Sequence, residues 1–154
     1  VFKLFVDSQG IENEWRHFIH RIEGSRLIDQ CIKEKGFESS FKAPKKWLYL
    51  LPKSKDVKEG VLFILIAENM HLRSQETNLK KWKSKKIKES FLKELHTLIS
   101  ELGLVDSVYI DNIPFCQDGK AAFVDTEHYK VFPVNFKKLE NFLHPSRRTM
   151  WGQM

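Results

Sequence analysis

Residues 110–129, IDNIPFCQDGKAAFVDTEHY, hold the pattern on which the prediction of the fold depends. An Asp-Gly pair between apolar segments is a strong signal for a β-hairpin, and here it occupies positions 118–119. Asn112 precedes this turn and Asp125 follows it, so a hairpin would hold their side chains at a fixed separation. Amide and carboxylate oxygens are ligands of Mg²⁺, which makes the pair a candidate metal site. The alternative is structural: Asn112 and Asp118 form turns, and Asp125 caps the segment after it.

Three further segments have the composition of β-strands. The first six residues, VFKLFV, alternate around a single charge, and KKWLYLLP at 45–52 lies between two prolines. VLFILIAENM at 61–70 is a nearly continuous apolar run, which is typical of a buried central strand. The charged residues 53–60 between the last two strands predict an exposed turn.

Apolar residues recur at helical spacing in two long segments. They predict helices from about 12 to 35 and from about 84 to 102, with Gly36 and Gly103 at their C-terminal ends. Gly24 lies inside the first helix, where it lowers helix stability and marks a candidate kink.

Two shorter segments complete the prediction. The polar residues 71–84 are interpreted as a connector and as the one candidate hinge. The tail predicts a short helix up to about Leu143, stopped by Pro145. The order of strands and helices predicts an α+β fold.

The composition limits the class of protein. A chain of 154 residues with 42% hydrophobic residues is long enough for one domain with a core. The longest apolar run, at 61–67, is too short for a membrane span. Cys31 and Cys116 lie far apart, which favours two reduced thiols in a compartment such as the cytoplasm, and a disulfide between them is the alternative.

The formal net charge is +6, and six lysines fall between Lys80 and Lys88. Trp82 interrupts this run, and lysines with an aromatic residue suit phosphate contacts and base stacking, so nucleic-acid binding is one hypothesis. The alternative is a solvated lysine-rich surface. A third hypothesis is a non-catalytic protein-interaction module that uses the exposed surfaces of Trp47 and Phe132-Pro133.

The pattern at 110–129 resembles the protein-kinase-like fold. In that family an Asn ends the catalytic loop, a hairpin follows, and an Asp opens the metal-binding triplet. Asn112 and Asp125 match these residues, and Thr126-Glu127 stands where Phe-Gly would be, a variant found in kinase-like small-molecule and atypical families. The resemblance implies ATP and Mg²⁺ as the ligands of the site. The segments KWLYLLP and DNIPF…DGKAAFVDTEH are also similar to uncharacterised kinase-like proteins of chlamydia-related bacteria.

The same resemblance implies roles for earlier segments. Residues 61–70 match the strand leading to the hinge, where adenine contacts the backbone, and 84–102 match the helix before the catalytic loop. Lys3 matches the Lys that contacts the phosphates. Glu23 is the helix residue expected to pair with that Lys, with Glu14 as its competitor.

The sequence departs from the family pattern in three places. The chain begins at the strand that would follow the Gly-rich phosphate loop. Ser107 occupies the position of the catalytic Asp, so Asp106 is the candidate catalytic residue only if the loop carries one extra residue. The residues after Tyr129 are too few for the substrate-binding helices of a full kinase.

The resemblance thus implies a small kinase-like fold in one domain. A reduced N-terminal sheet lobe would span 1–70, the connector 71–84, and a minimal helical C-terminal lobe 85–154. Such a domain would be a truncated phosphotransferase or a pseudokinase. Because the chain opens without a Met, we expect it to be a fragment, a processed chain or a chain with residues omitted upstream.

Overall fold

The structure is a computed structural model that describes residues 2–3, 14–50 and 63–154, with side chains from residue 16 onward within those ranges. Most of the predicted strand VFKLFV and the predicted turn at 53–60 lie outside the described residues, as do the side chains of Lys3 and Glu14. The fold is a small mixed α+β arrangement, as predicted.

The described ranges contain helices of very different lengths: α1 (Glu14–Glu34), α2 (Gln75–Trp82), α3 (Glu89–Leu102), α4 (Lys137–Glu140) and α5 (Pro145–Trp151). The strands in these ranges are short: β1 (Phe2–Lys3), β2 (Phe41–Lys42), β3 (Lys46–Leu50), β4 (Phe63–Ala67) and β5 (Ala121–Ala122). They form a three-stranded sheet in the order β1-β4-β3 and a two-stranded parallel sheet of β2 and β5.

The three-stranded sheet is antiparallel, with β4 at its centre. Its central place agrees with the apolar sequence of this strand. Lys3 of β1 pairs with Leu65 of β4. Leu65 is buried against Phe18 and Ile22 of α1, so α1 covers one face of the sheet. Alternation along β3 places Trp47 on the other face, where it is 49% exposed.

The main core lies where the second half of α1 meets α3. Ile28 and Ile32 of α1 are buried together with Leu92, Leu95 and Ile99 of α3. The apolar residues of each helix recur at intervals of three and four, which gives one apolar face. The helix α1 therefore joins the sheet at its first half to the helical core at its second half.

The segment 71–84, interpreted from the sequence as a polar connector, contains the helix α2. The side chain of Ser74 caps this helix by accepting from the Thr77 N–H over 3.4 Å. Its buried face consists of Asn78 and Trp82. A face with one polar and one apolar member has no hydrophobic period, and the sequence pattern therefore did not reveal the helix.

The tail helix α4 ends at Glu140, before Pro145 as predicted, and Pro145 begins the further helix α5. Proline is favourable in the first turn of a helix, where its missing N–H has no intrahelical partner. His144 caps α5, since its Nδ1 accepts from the Ser146 N–H over 3.2 Å. The indole N–H of the buried Trp151 donates to the Phe136 carbonyl oxygen over 2.9 Å and holds α5 against α4.

The glycines at the ends of the long helices behave as predicted. Gly36 and Gly103 have φ values of 70° and 60°, the left-handed conformation that ends a helix. Gly24 has a different role from the expected kink. It lies within a continuous helix, and a Cβ at this position would be 1.9 Å from the carbonyl oxygen of Thr126. Gly24 thus allows the segment after β5 to touch α1.

Two predictions from the composition concern the cysteines and membrane-spanning helices. Cys31 and Cys116 are both free and buried, so the interpretation as thiols is confirmed. In the described part of the chain, no helix combines the length and the apolar character that a membrane span requires.

Candidate functional site

A cavity of about 350 Å³ opens beside the end of β4. Its volume is within the range of about 300–1,000 Å³ that is typical of small-molecule sites. Its wall is mainly apolar and comes from β3, β4, the segment that follows β4, and the segment that follows β5: Pro44, Lys46, Leu65, Ala67, Glu68, Asn69, Met70, Leu72 and Val124.

The segment that follows β4 presents backbone groups at this cavity. The Glu68 N–H donates to the Lys45 carbonyl oxygen over 2.9 Å, and the His71 N–H donates to Asn69 Oδ1 over 3.0 Å. Between them, the N–H and C=O of Met70 make no hydrogen bond to any residue in the described ranges. Met70 is only 6% exposed. Buried backbone groups are nearly always paired, and these two are candidates to pair with a bound molecule.

The hairpin predicted around 117–120 is present. Gly119 has a φ of 92° in its turn, and the Cys116 N–H donates to the Lys120 carbonyl oxygen over 2.8 Å. The pairing extends as far as Val124, whose N–H donates to the Asn112 carbonyl oxygen over 3.0 Å. Asn112 therefore lies opposite the residue before Asp125.

Asp125 carries a buried oxygen that lacks a hydrogen bond. Its Oδ1 has no hydrogen-bond donor in the described structure, and Arg21 Nη1 is 3.7 Å away. An ionised oxygen buried without hydrogen bonds is costly. A metal ion at this place would supply the missing interaction.

Asn112 is oriented by the neighbouring loop. Its Nδ2 donates to the carbonyl oxygen of Asp106 over 2.9 Å, which leaves Oδ1 as its candidate ligand atom. No group of three or more His, Cys, Asp or Glu side chains that could hold a metal occurs among the described residues. Asn112 Oδ1 and Asp125 Oδ1 stay the two predicted ligands of Mg²⁺, an ion that takes most of its remaining ligands from phosphate and water.

Lys46 places a positive charge between the cavity and the hairpin. Its side chain is buried, and Nζ donates to Thr126 Oγ1 over 2.7 Å and to the Val124 carbonyl oxygen over 3.0 Å. The Thr126 hydroxyl in turn donates to the Arg21 carbonyl oxygen over 2.6 Å. Sequence reasoning missed Lys46, although alternation from Leu48 places it on the inward face of β3.

A second group missed from the sequence lies on α1. Arg21 donates to Glu127 Oε2 from Nε over 2.9 Å and from Nη2 over 2.6 Å. His17 Nδ1 lies 2.6 Å from the other oxygen of Glu127. Burial alone would raise the pKa of Glu127, but the hydrogen bonds and charges of His17 and Arg21 together lower it below its usual value. The triplet that begins at Asp125 is thereby fixed to α1.

Lys3 and Glu23 were predicted to pair with each other near the phosphates. The backbone of Lys3 pairs with Leu65, which lines the cavity, while its side chain lies outside the described residues. Glu23 is exposed, does not line the cavity, and accepts from the Tyr129 hydroxyl over 2.8 Å. Its pairing with Lys3 stays a prediction, as does the competing role of Glu14.

Asp106 lies at the edge of the same site. Its carbonyl oxygen accepts from Asn112, and its Oδ2 is 2.6 Å from Nδ1 of His128. The neighbouring Ser107 is buried. The loop therefore brings a carboxylate and an imidazole together beyond the Asp125 triplet, and a carboxylate–imidazole pair can accept or deliver a proton.

The nucleic-acid hypothesis and the interaction-module hypothesis each require exposed aromatic side chains. Trp82 is fully buried and packs against Phe91 and Phe115. The predicted stacking of a base on Trp82 is therefore wrong. Trp47 and Phe132 are 49% and 60% exposed, as the hypothesis of an interaction module requires.

No family model, curated protein or solved structure matches this chain.

Proposed function

We propose that this protein binds a nucleoside triphosphate with Mg²⁺, as a small kinase-like domain whose nucleotide is ATP. One observation carries the proposal. The cavity at β4 is lined both by the segment that follows the strand and by Val124, the residue before Asp125. The candidate site for a base and the candidate site for a metal would thus lie next to each other.

The cavity suits the base. A purine has two apolar faces and an edge of hydrogen-bond donors and acceptors. Leu65 and Val124 supply apolar walls, and the N–H and C=O of Met70 supply one donor and one acceptor. A ligand that pairs with both groups would remove the cost of leaving them unsatisfied.

The residues around Asp125 suit the phosphates. Asn112 and Asp125 would hold Mg²⁺, which supplies positive charge that bridges the phosphates when it is bound. Lys46 on β3, and Lys3 on β1 at the other side of the central strand β4, would neutralise further phosphate charge. Arg21 keeps the Asp125 segment against α1 and limits its movement.

Transfer of the phosphate requires a group that orients a hydroxyl acceptor. Asp106 is the candidate, and its contact with His128 would orient the carboxylate. In a pseudokinase the same site would bind the nucleotide without this step. Binding of Mg²⁺ and ATP is common to both, and it is therefore the property to test first.

The test is a thermal-shift titration with ATP, with and without Mg²⁺, on the wild type, Asp125→Asn and Asp111→Asn. Asp111 is an exposed neighbour of Asn112, and its substitution makes the same chemical change outside the site. A ligand at about one hundred times its Kd stabilises the folded state by about 2.7 kcal/mol. For a domain of this size that corresponds to a rise in Tm of about 5–10 °C.

We expect the rise in the wild type and in Asp111→Asn only when Mg²⁺ is present, and a much smaller rise in Asp125→Asn. An equal rise in Asp125→Asn would place the nucleotide elsewhere. No rise at millimolar ATP would refute the proposed function.

A further inference from the structure

A second cavity, of about 720 Å³, lies where α2, the start of α3 and the turn of the hairpin meet. It shares no lining residue with the cavity at β4. Four lysines line it: Lys80, Lys81, Lys86 and Lys88. We call it the lysine cavity. Its volume, like that of the first cavity, is typical of a small-molecule site.

The positive charge of the lysine cavity is only partly compensated. Lys80 pairs with Glu76 over 2.6 Å, but both side chains are exposed, and such a pair contributes little. Lys86 and Lys88 have no ion pair within the described residues. Lys81 is half-buried and donates from Nζ to the Gly119 carbonyl oxygen over 2.9 Å.

The field of these groups favours an anion. Burial lowers the pKa of Lys81, and the neighbouring charge of Arg73 lowers it further. A bound anion would offset both effects. The helix α3 begins at the same cavity, and its N-cap residue Lys88 makes no side-chain capping bond, so the N–H groups of the first turn add positive partial charge.

The floor of the lysine cavity has a different chemistry from its rim. Phe91, Phe115 and Ile87 line it with apolar surface. Glu94 also lines it, and its Oε2 is a buried acceptor without a hydrogen-bond partner in the described structure. A complementary ligand therefore has an anionic group and an apolar body, and a hydrogen-bond donor on that body would pair with Glu94.

We propose that the lysine cavity binds a phosphomonoester of an aromatic or apolar small molecule, at a site distinct from the proposed nucleotide site. A phosphomonoester carries close to two negative charges at neutral pH, and lysines suit it as point charges. A nucleic-acid strand fits less well. Trp82 is buried and offers no surface for stacking.

The probe is phenyl phosphate, titrated into ¹⁵N-labelled protein and followed by amide chemical shifts. Lys86→Glu/Lys88→Glu reverses two charges that line the cavity. Lys83→Glu/Lys85→Glu reverses two exposed charges of the same basic segment that do not line it, and it is the matched control. All four side chains are exposed, so both variants should retain the Tm of the wild type.

We expect shifts in α2, the first turns of α3 and Gly119, and a Kd at least about tenfold weaker in Lys86→Glu/Lys88→Glu, with less than about a twofold change in the control. Asp125→Asn should bind phenyl phosphate like the wild type, which separates this site from the nucleotide site. Phenol and inorganic phosphate should each bind at least about tenfold more weakly.

Three outcomes would overturn the proposal. Equal losses of affinity for phenyl phosphate in the two double variants would mean that the basic segment attracts polyanions, including nucleic acid, without a defined site. Inorganic phosphate that binds as well as phenyl phosphate would mean that the apolar floor has no role. Shifts confined to residues 65–72 would place the probe in the first cavity.

Discussion

Replacing Gly24 by Ala is expected to destabilise the protein, although Ala is the better helix former. The added Cβ would lie 1.9 Å from the Thr126 carbonyl oxygen and 2.9 Å from Cδ1 of Tyr129. Because Cβ atoms rarely approach other heavy atoms within 3.0 Å, α1 and the Thr126 backbone must separate by about 1 Å. The contact is with backbone, so a change of side-chain rotamer cannot relieve it.

The size of the effect follows from the hydrogen bonds of Thr126. Its hydroxyl donates to the Arg21 carbonyl oxygen over 2.6 Å and accepts from Lys46 Nζ over 2.7 Å. A separation of about 1 Å would lengthen either bond beyond useful range. The first is worth about 1 kcal/mol and the second, to a charged group, about 1.5–3 kcal/mol. Ala restores about 1 kcal/mol of helix propensity, which leaves a loss of about 1.5–3 kcal/mol.

The assay is urea unfolding followed by tryptophan fluorescence, with the loss read from the midpoint at constant m-value. Gly152→Ala is the control, because a Cβ there meets nothing closer than 3.5 Å, and its effect should be within about 0.5 kcal/mol. Since the contact positions the Asp125 triplet, Gly24→Ala should also reduce the shift in Tm with Mg²⁺ and ATP that the proposed function predicts. A Gly24→Ala protein as stable as the wild type would refute the reasoning.

Two further predictions concern titratable groups. The pKa of Glu127 is lowered in the folded state from its ordinary value of 4.5, so its contribution to stability is present above about pH 4.5 and is lost as the pH falls through the lowered pKa. The free energy of unfolding, measured with urea between about pH 6 and pH 3, should depend less on pH in Glu127→Gln than in the wild type or in the exposed control Glu38→Gln. Equal dependence on pH in the three proteins would contradict this. Burial raises the pKa of Cys31 and of Cys116. Both thiols should therefore react with Ellman's reagent at least about a hundredfold faster in denaturant than in the folded protein. Fast reaction of either thiol in the folded protein would show that it is accessible and would contradict the prediction.

The sequence predicted the parts of the fold that depend on local rules. The period of the apolar residues in α1 and α3 gives each helix its buried face, and Gly36 and Gly103 end them because the left-handed conformation is easiest for glycine. The Asp-Gly turn similarly set the hairpin in which Asn112 pairs with Val124. These features are determined within a few residues of the chain, and neighbours in the sequence are sufficient to read them.

The same local rules did not predict the helix α2, because its buried face combines a polar and an apolar residue. The helix α2 buries Asn78 because its amide donates to the Ile110 carbonyl oxygen over 3.2 Å and its Oδ1 accepts from the Phe115 N–H over 3.0 Å. Those partners lie far along the chain. A polar residue is expected on the surface unless such partners are known, so the pattern at 71–84 indicated a connector.

The tertiary structure alone decided the surroundings of Asp125. Arg21 meets Glu127 across 106 positions of sequence, and Lys46 meets Thr126 across 80. Nothing in the local sequence of either cation selects its partner, because the meeting depends on how α1 and β3 pack against the segment after β5, which touches α1 at Gly24. The sequence determined which oxygens the hairpin offers, and the packing decided which charges surround them, since electrostatic interactions depend on distance in space rather than on distance along the chain.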